Sequence, residues 1–239
     1  MSDSSQHFTK DNLDTYLKAL AKEYRKRNGK AVPAEIILIG GAAVLAGYGF
    51  RNMTTDVDAV IHAASSMKDA INQVGDAYGL PNGWLNNDFM ETASYSPRLD
   101  EFSEYYRTYS NVLQIRIVSA EYLVAMKLRS GRKYKNDLSD IMGILAEHEK
   151  RGAPLTEQQI ETAVINLYGS WDAIPEDSRA FLQNALRNGN YAAVYEQVKQ
   201  EELHAKDILL DFQQDYPGVT NESNVNEILQ ALKKKKQNQ

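Results

Sequence analysis

The 239-residue chain contains no cysteine. Disulfide scaffolds, thiolate metal sites and cysteine nucleophiles are therefore excluded, and the composition suits a reducing compartment. No run approaches the roughly 20 apolar residues that a membrane-spanning helix requires. The opening stretch MSDSSQHFTKDNLDTY is polar and lacks the apolar core of a signal peptide. A soluble, cytoplasmic protein with no membrane partner is expected. Basic excess is missing as well: the formal net charge is −5, which excludes a broadly basic nucleic-acid surface and leaves only local patches. One such patch, Lys233 to Lys236, reads as a solvated helix end that complements the helix dipole. The four histidines, His7, His62, His148 and His204, form no metal-spaced pair, and His62 reads as structural. There is no Gly-x-Ser-x-Gly nucleophile elbow. Gly47-Tyr48-Gly49 lacks the third glycine of a dinucleotide fingerprint, and no lysine follows a glycine loop in the P-loop manner.

What remains is an ordinary globular composition, 43 % hydrophobic and 25 % charged, long enough for one large or two modest domains. The chain is organised around residues 35–61, EIILIGGAAVLAGYGFRNMTTDVDAVI. An apolar run, Ile36 to Ile39, ends at Gly40-Gly41. An Ala-rich segment follows, then Arg51 and Thr54-Thr55, and the stretch closes on Asp56-Val57-Asp58 and a second apolar run to Ile61. The pattern predicts strand, glycine turn, short helix, loop, strand. Alternation along a strand places Asp56 and Asp58 on one face, with Val57 directed into the core. Paired carboxylates repel and lose hydration unless something positive lies between them, and a divalent cation with oxygen ligands is the common solution. A glycine pair ahead of a helix lets backbone approach a phosphate and directs N–H groups at it.

The rest of the chain supplies context. Residues 11–28 predict an amphipathic helix with Leu13, Leu17, Leu20 and Ala21 on one face, Tyr16 and Tyr24 on its flank, and Gly29 as its stop. Ser65-Ser66 are placed to cap a helix reaching Gly79. Trp84, Phe89 and Met90 read as core residues in the otherwise illegible 80–100 stretch. Residues 105–109 and 112–118 flank Ser110-Asn111 as a hairpin whose more polar face carries Gln114 and Arg116. Ser119 is placed to cap a helix bearing Tyr122, Leu123, Met126 and Lys127, which Gly131 ends. A basic loop, Arg132, Lys133 and Lys135, leads into a helix that opens on Asp137 and Asp140. From 153 onward the pattern is helical throughout, with starts at Pro154-Leu155-Thr156, Pro175 and Tyr191. A last helix is expected over 222–232, and Val194, Val198 and Leu203 are the apolar positions of the long helix before it. An α+β architecture is expected: a mixed sheet flanked by helices over residues 1–150, then a helical region over 151–239.

The order Gly40-Gly41, Arg51, Thr55, Asp56-x-Asp58 resembles the nucleotidyltransferase superfamily of DNA polymerase beta, and within it the AbiEii-type and minimal nucleotidyltransferases. The resemblance covers about the first 150 residues. It implies a nucleotidyltransferase-type fold and transfer of a nucleoside monophosphate from a nucleoside triphosphate to an RNA, protein or small-molecule acceptor. It further implies Mg²⁺ (or Mn²⁺) held by Asp56 and Asp58, and nucleotide contacts from Gly40, Gly41, Arg51 and Thr55. AbiEii-type enzymes carry a lysine after the last core strand and then an Asp-x-x-Asp helix. On that order Lys127 would meet the triphosphate and Asp137 would orient it or take part in acid–base chemistry. A toxin role with a cognate antitoxin, or a place in phage defence, is implied by resemblance alone. Two departures stand out: the strand over 112–118 offers no third carboxylate, and Asn136 stands where the family has a basic residue. They leave a catalytically degenerate nucleotide-binding or protein-interaction module as the alternative.

Overall fold

The computed structural model describes residues 7–221 and 224–237. The first six residues of the polar opening stretch and Glu222, where the last helix is expected to begin, lie outside the described residues. The chain falls into two compact units, residues 1–126 with 158–171, and residues 127–157 with 172–239.

In the first unit, helix α1 (Lys10–Asn28) starts in a reciprocal cap. The Asn12 N–H donates to Thr9 Oγ1 at 3.4 Å and the Thr9 N–H to Asn12 Oδ1 at 2.8 Å. Gly29, at φ 72°, ends it in a conformation that costs other residues strain. All six of the residues expected on its apolar face and flank are buried.

The sheet has five strands in the order β3-β2-β1-β5-β4: β1 (Ala34–Leu38), β2 (Val57–His62), β3 (Leu85–Asn86), β4 (Ser103–Tyr109) and β5 (Leu113–Val118). Strand β1 is antiparallel to β2 and parallel to β5, so the sheet is mixed. Helix α2 (Gly40–Gly47) connects β1 to β2, and α3 (Ser66–Tyr78) follows β2. Pairing of Ile37 with Val60 and Arg116 fixes the register. It puts Glu35 and Ile37 on one face with Val60, His62, Gln114 and Arg116, while Ile36 and Leu38 lie opposite with Ala59 and Ile115. Strands β4 and β5 form the expected hairpin. Its two turn residues, Ser110 and Asn111, both adopt the left-handed conformation (φ 53° and 54°) that matches a turn to the strand twist.

Some local expectations differ in the structure. Ser65 makes no side-chain cap to α3, whereas Ser66 Oγ is hydrogen-bonded to Asn28, which ties α3 to the end of α1. Ser119 Oγ, just ahead of α4 (Ala120–Ser130), donates to the Phe102 carbonyl at 3.1 Å. Trp84 and Phe89 are buried, but Met90 is exposed. The Trp84 ring stacks on Phe8, and its Nε1–H donates to the Ile71 carbonyl at 3.1 Å. Phe8 in turn pairs with Thr54 through two backbone hydrogen bonds of 2.7 and 2.9 Å, which pins the loop ahead of β2. The segment around Ser96 is fastened to the end of α6 (Glu157–Tyr168): Ser96 Oγ donates to the Leu167 carbonyl and Tyr168 OH to the Ser94 carbonyl.

The second unit is helical. Gly131 (φ 54°) closes α4, and a loop leads to α5 (Asp137–Lys150). Helix α7 (Glu176–Asn188) starts after Pro175 and stops at Gly189, and α8 (Tyr191–Asp215) packs on α5. Helix α9 (Val225–Gln237) buries Val225 and Leu229 against Ala205, Ile208 and Leu209 of α8. On α8 the apolar expectation is corrected at Leu203, which is exposed, while its neighbour Glu202 is buried. A single residue shift of phase on a long helix is enough to exchange the two. No helix among the described residues is long and apolar enough to cross a membrane.

The Trp84 contacts are testable. Replacing Trp84 by Ala removes a ring stack, a buried hydrogen bond and most of a large side chain. It is expected to cost about 3–5 kcal/mol, read as a lowered urea midpoint by circular dichroism.

Candidate active site

The site is built from the turn at the end of β1. Ile39 is still extended, and its N–H donates to the Asp58 carbonyl at 3.0 Å, which holds the end of β1 against the start of β2. Helix α2 then begins at Gly40 with φ 53°, a conformation that favours glycine. A Cβ on Gly40 would lie 3.5 Å from Asp58 Oδ2, so this backbone runs directly beneath the carboxylate. Gly41 is more tightly enclosed. A Cβ there would come within 2.5 Å of Thr54 Oγ1 and 2.9 Å of Arg51 Nη2. Ala42 to Ala46 are all buried, which anchors α2 so that its first turn cannot simply retreat. That turn carries no acidic residue and no side-chain cap of its own. The positive end of the helix dipole thus lies at the turn beside Asp58 and the Arg51–Thr54 loop.

The loop is held by a short chain of polar contacts. Arg51 Nε–H donates to the Met53 carbonyl at 3.0 Å and Nη2–H to Thr54 Oγ1 at 3.5 Å. Thr54 Oγ1–H reaches Asp56 Oδ1 at 3.5 Å. Thr54 is buried and Thr55 exposed, so it is Thr54 that touches Gly41, Arg51 and Asp56. Two adjacent threonines carry no sequence signal that would separate their roles; the Phe8 backbone pairing does. Asp56 is exposed and lies one residue ahead of β2, so strand alternation does not set its direction. Asp58 lies within β2, half-buried, on the face it shares with Val60 and His62.

Among the described residues no cluster of three or more His, Asp or Glu side chains is arranged to hold a metal. The oxygen donors expected from the sequence are Asp56, in the loop, and Asp58, in β2. A donor set of one or two carboxylates suits Mg²⁺, which retains waters and completes its shell with substrate phosphates. Strand β5 supplies no acid. Gln114 donates to Glu35 Oε2 at 3.0 Å, and Arg116 donates to the hydroxyl and carbonyl of Ser103, so the polar side chains of this strand are satisfied within the sheet. His62 Nε2 sits 2.7 Å from Asp100 Oδ2, in keeping with a structural histidine.

The remaining expected residues lie in the second unit. There Lys127, Arg132, Asp137 and Asp140 form one ionic cluster. The Lys127 ammonium lies 3.0 Å from Asp137 Oδ1 and 2.8 Å from Asp140 Oδ2. Arg132 donates from Nε (2.8 Å) and from its backbone N–H (3.3 Å) to Asp137 Oδ2. Burial opposes ionisation of Asp137, but the charges of Lys127 and Arg132 outweigh it and leave the carboxyl at about 2. Within the basic loop, the residue that joins Lys127 on Asp137 is thus Arg132. Lys135 is exposed, and Asn136 at the helix start makes no side-chain cap. Capping of α5 comes instead from Glu202 of α8, a residue with no short-range signal in the sequence.

Asp137 leads to two expectations. Asp137→Ala leaves Lys127 and Arg132 short of their shared carboxylate and should cost about 3–5 kcal/mol in urea unfolding. Because the folded pKa is depressed, the stabilisation from Asp137 is full above the ordinary aspartate value of 3.8 and is lost as pH falls through about 2. The acid limb of the wild-type stability profile should flatten in this variant.

No curated protein and no solved structure matches the chain. A family model described as "Nucleotidyltransferase of unknown function (DUF6036)" matches residues 15–147, a span that contains the glycine turn, Asp56, Asp58, Lys127 and the start of α5. With more than half of its length matched in this way, the chain belongs to the DUF6036 family of nucleotidyltransferases.

Proposed function

We propose that the protein is a Mg²⁺-dependent transferase that moves a nucleoside monophosphate from a nucleoside triphosphate to an acceptor. The observation that carries this reading is the side-chain-free approach at Gly40-Gly41, where backbone, Arg51, Thr54 and two carboxylates meet. An acceptor oxygen attacks the α-phosphorus, the bond from that phosphorus to the bridging oxygen breaks, and pyrophosphate leaves. Bound at Asp56 and Asp58, the cation would neutralise developing charge on the phosphates. Arg51 presents a planar fork for phosphate oxygens, and the first turn of α2 presents N–H groups with the positive end of its dipole. Thr54 orders both Arg51 and Asp56, and its exposed neighbour Thr55 is placed for a direct hydroxyl contact with substrate.

The roles that resemblance gives Lys127 and Asp137 are refined by their chemistry. A carboxylate held at about 2 is a weak base, so Asp137 is suited to holding cations in place and poorly suited to proton transfer near neutrality. RNA, protein or a small molecule as acceptor, closeness to AbiEii-type enzymes, and pairing with a cognate antitoxin rest on resemblance. A second reading, nucleotide binding without transfer, is favoured by one observation: β5 presents Gln114 and Arg116 where related enzymes often place an acid.

The test is incubation with each α-³²P nucleoside triphosphate, Mg²⁺ and total bacterial RNA and protein. Label transferred by the wild type and lost in Asp58→Ala supports the enzyme, and the labelled band names the acceptor class. Loss of the carboxylate is expected to lower turnover about 10³-fold or more, while the circular dichroism spectrum is unchanged. Triphosphate binding without label in any reaction would establish the non-catalytic reading. Gly41→Ala, by displacing Arg51 and Thr54, is expected to weaken triphosphate binding by about tenfold or more in equilibrium dialysis.

A further inference from the structure

Phe8 and Thr54 exchange both backbone hydrogen bonds and are both buried, so the short segment ahead of α1 runs antiparallel to the loop that leads into β2. In such a pair the next residues along also stand opposite one another, and here they are His7 and Thr55. Side chains alternate along an extended chain: Phe8 and Thr54 turn inward, while His7 and Thr55 are exposed. The main chain of His7 is held from both sides. Phe8 fastens it to Thr54, and its carbonyl accepts from Asn12 Nδ2 at 3.0 Å, the same asparagine that forms the cap of α1 with Thr9. The imidazole itself has no hydrogen-bonding or ionic partner among the described residues. His62, the other histidine of the first unit, differs on both counts. It is engaged by Asp100 and lies opposite Glu35, at the end of the sheet remote from Gly40.

We infer that His7 is a phosphate-binding residue of this site, whose ring N–H donates to triphosphate oxygens beside Thr55. The assignment rests on the reading of the Gly40–Asp58 stretch as a triphosphate site. It adds a residue from the segment ahead of α1, outside the span 15–147 that the family model matches. The chemistry calls for such a donor. A triphosphate carries several negative charges, yet residues 48–57 supply one cation, Arg51. An imidazole keeps at least one N–H donor whether protonated or neutral, so the contact does not depend on a change of charge. Since the backbone of the segment is already fixed by Thr54 and Asn12, little ordering remains to oppose binding.

The test is calorimetric titration of the full chain with inorganic triphosphate and Mg²⁺, comparing the wild type with His7→Ala, His7→Gln and His62→Ala, together with NMR of the imidazole signals. His7→Ala is expected to weaken binding about tenfold, the loss of one hydrogen bond to a charged group. His7→Gln keeps an N–H donor and should recover part of that loss, and His62→Ala should bind as the wild type does. Urea midpoints should be unchanged in His7→Ala, because the pairing of Phe8 with Thr54 is made by backbone. In the wild type, inorganic triphosphate should shift the His7 ring signals and leave those of His62 in place. Undiminished binding by His7→Ala, or His7 signals that do not move, overturns the role of His7 and leaves the triphosphate site standing. No binding of triphosphate by the wild type overturns both.

Discussion

Much of the candidate site depends on one steric constraint, that nothing larger than hydrogen fits on Gly41 between the first turn of α2 and the Arg51–Thr54 pair. The close approach lets one short loop do three things at once. It holds a guanidinium beside the helix N-terminus, it hydrogen-bonds Asp56 through Thr54, and it delivers the chain into β2 at Asp58. Each link relies on a rigid neighbour. The buried alanines fix α2, the backbone exchange between Phe8 and Thr54 fixes the loop, and the β1–β2 ladder fixes Asp58. Preorganisation of this kind matters because electrostatic groups assist a reaction only when they need not rearrange as charge develops.

The second unit handles buried charge in two different ways. Asp137 is buried with cations in hydrogen-bonding geometry, and its charge is retained to very low pH. Glu202 is buried with neutral donors, and its charge is disfavoured up to about neutrality. The two carboxylates serve adjacent parts of the same helix turn, yet desolvation is compensated in one and only partly in the other. Helix α5 thus begins on a firmly ionised anchor and a titratable cap within one turn.

Local signals carried the readings that held. The period of the α1 stripe, Gly29 and Gly131 as stops, and the Ser110-Asn111 hairpin follow from side-chain spacing and from backbone conformations that few residues tolerate. The cap expectation at Ser65 failed, while its neighbour Ser66 is engaged elsewhere. A serine hydroxyl has more than one partner within reach, and Ser66 and Ser119 find theirs in Asn28 and the Phe102 carbonyl, both remote in sequence. Met90 and Leu203 differ from expectation because apolar character says that a side chain gains from burial, while neighbours decide whether there is room.

The same division runs through the site. The sequence by itself determined the strand–glycine–helix–strand order and the absence of an acid from β5, since each is set by residue type and short-range geometry. Tertiary structure alone decided that Thr54 binds Asp56, that Arg132 rather than Lys135 pairs with Asp137, and that a glutamate 64 residues from Leu138 caps α5. Those contacts arise from packing between segments distant in the chain, where the choice of partner depends on which polar group burial leaves without water.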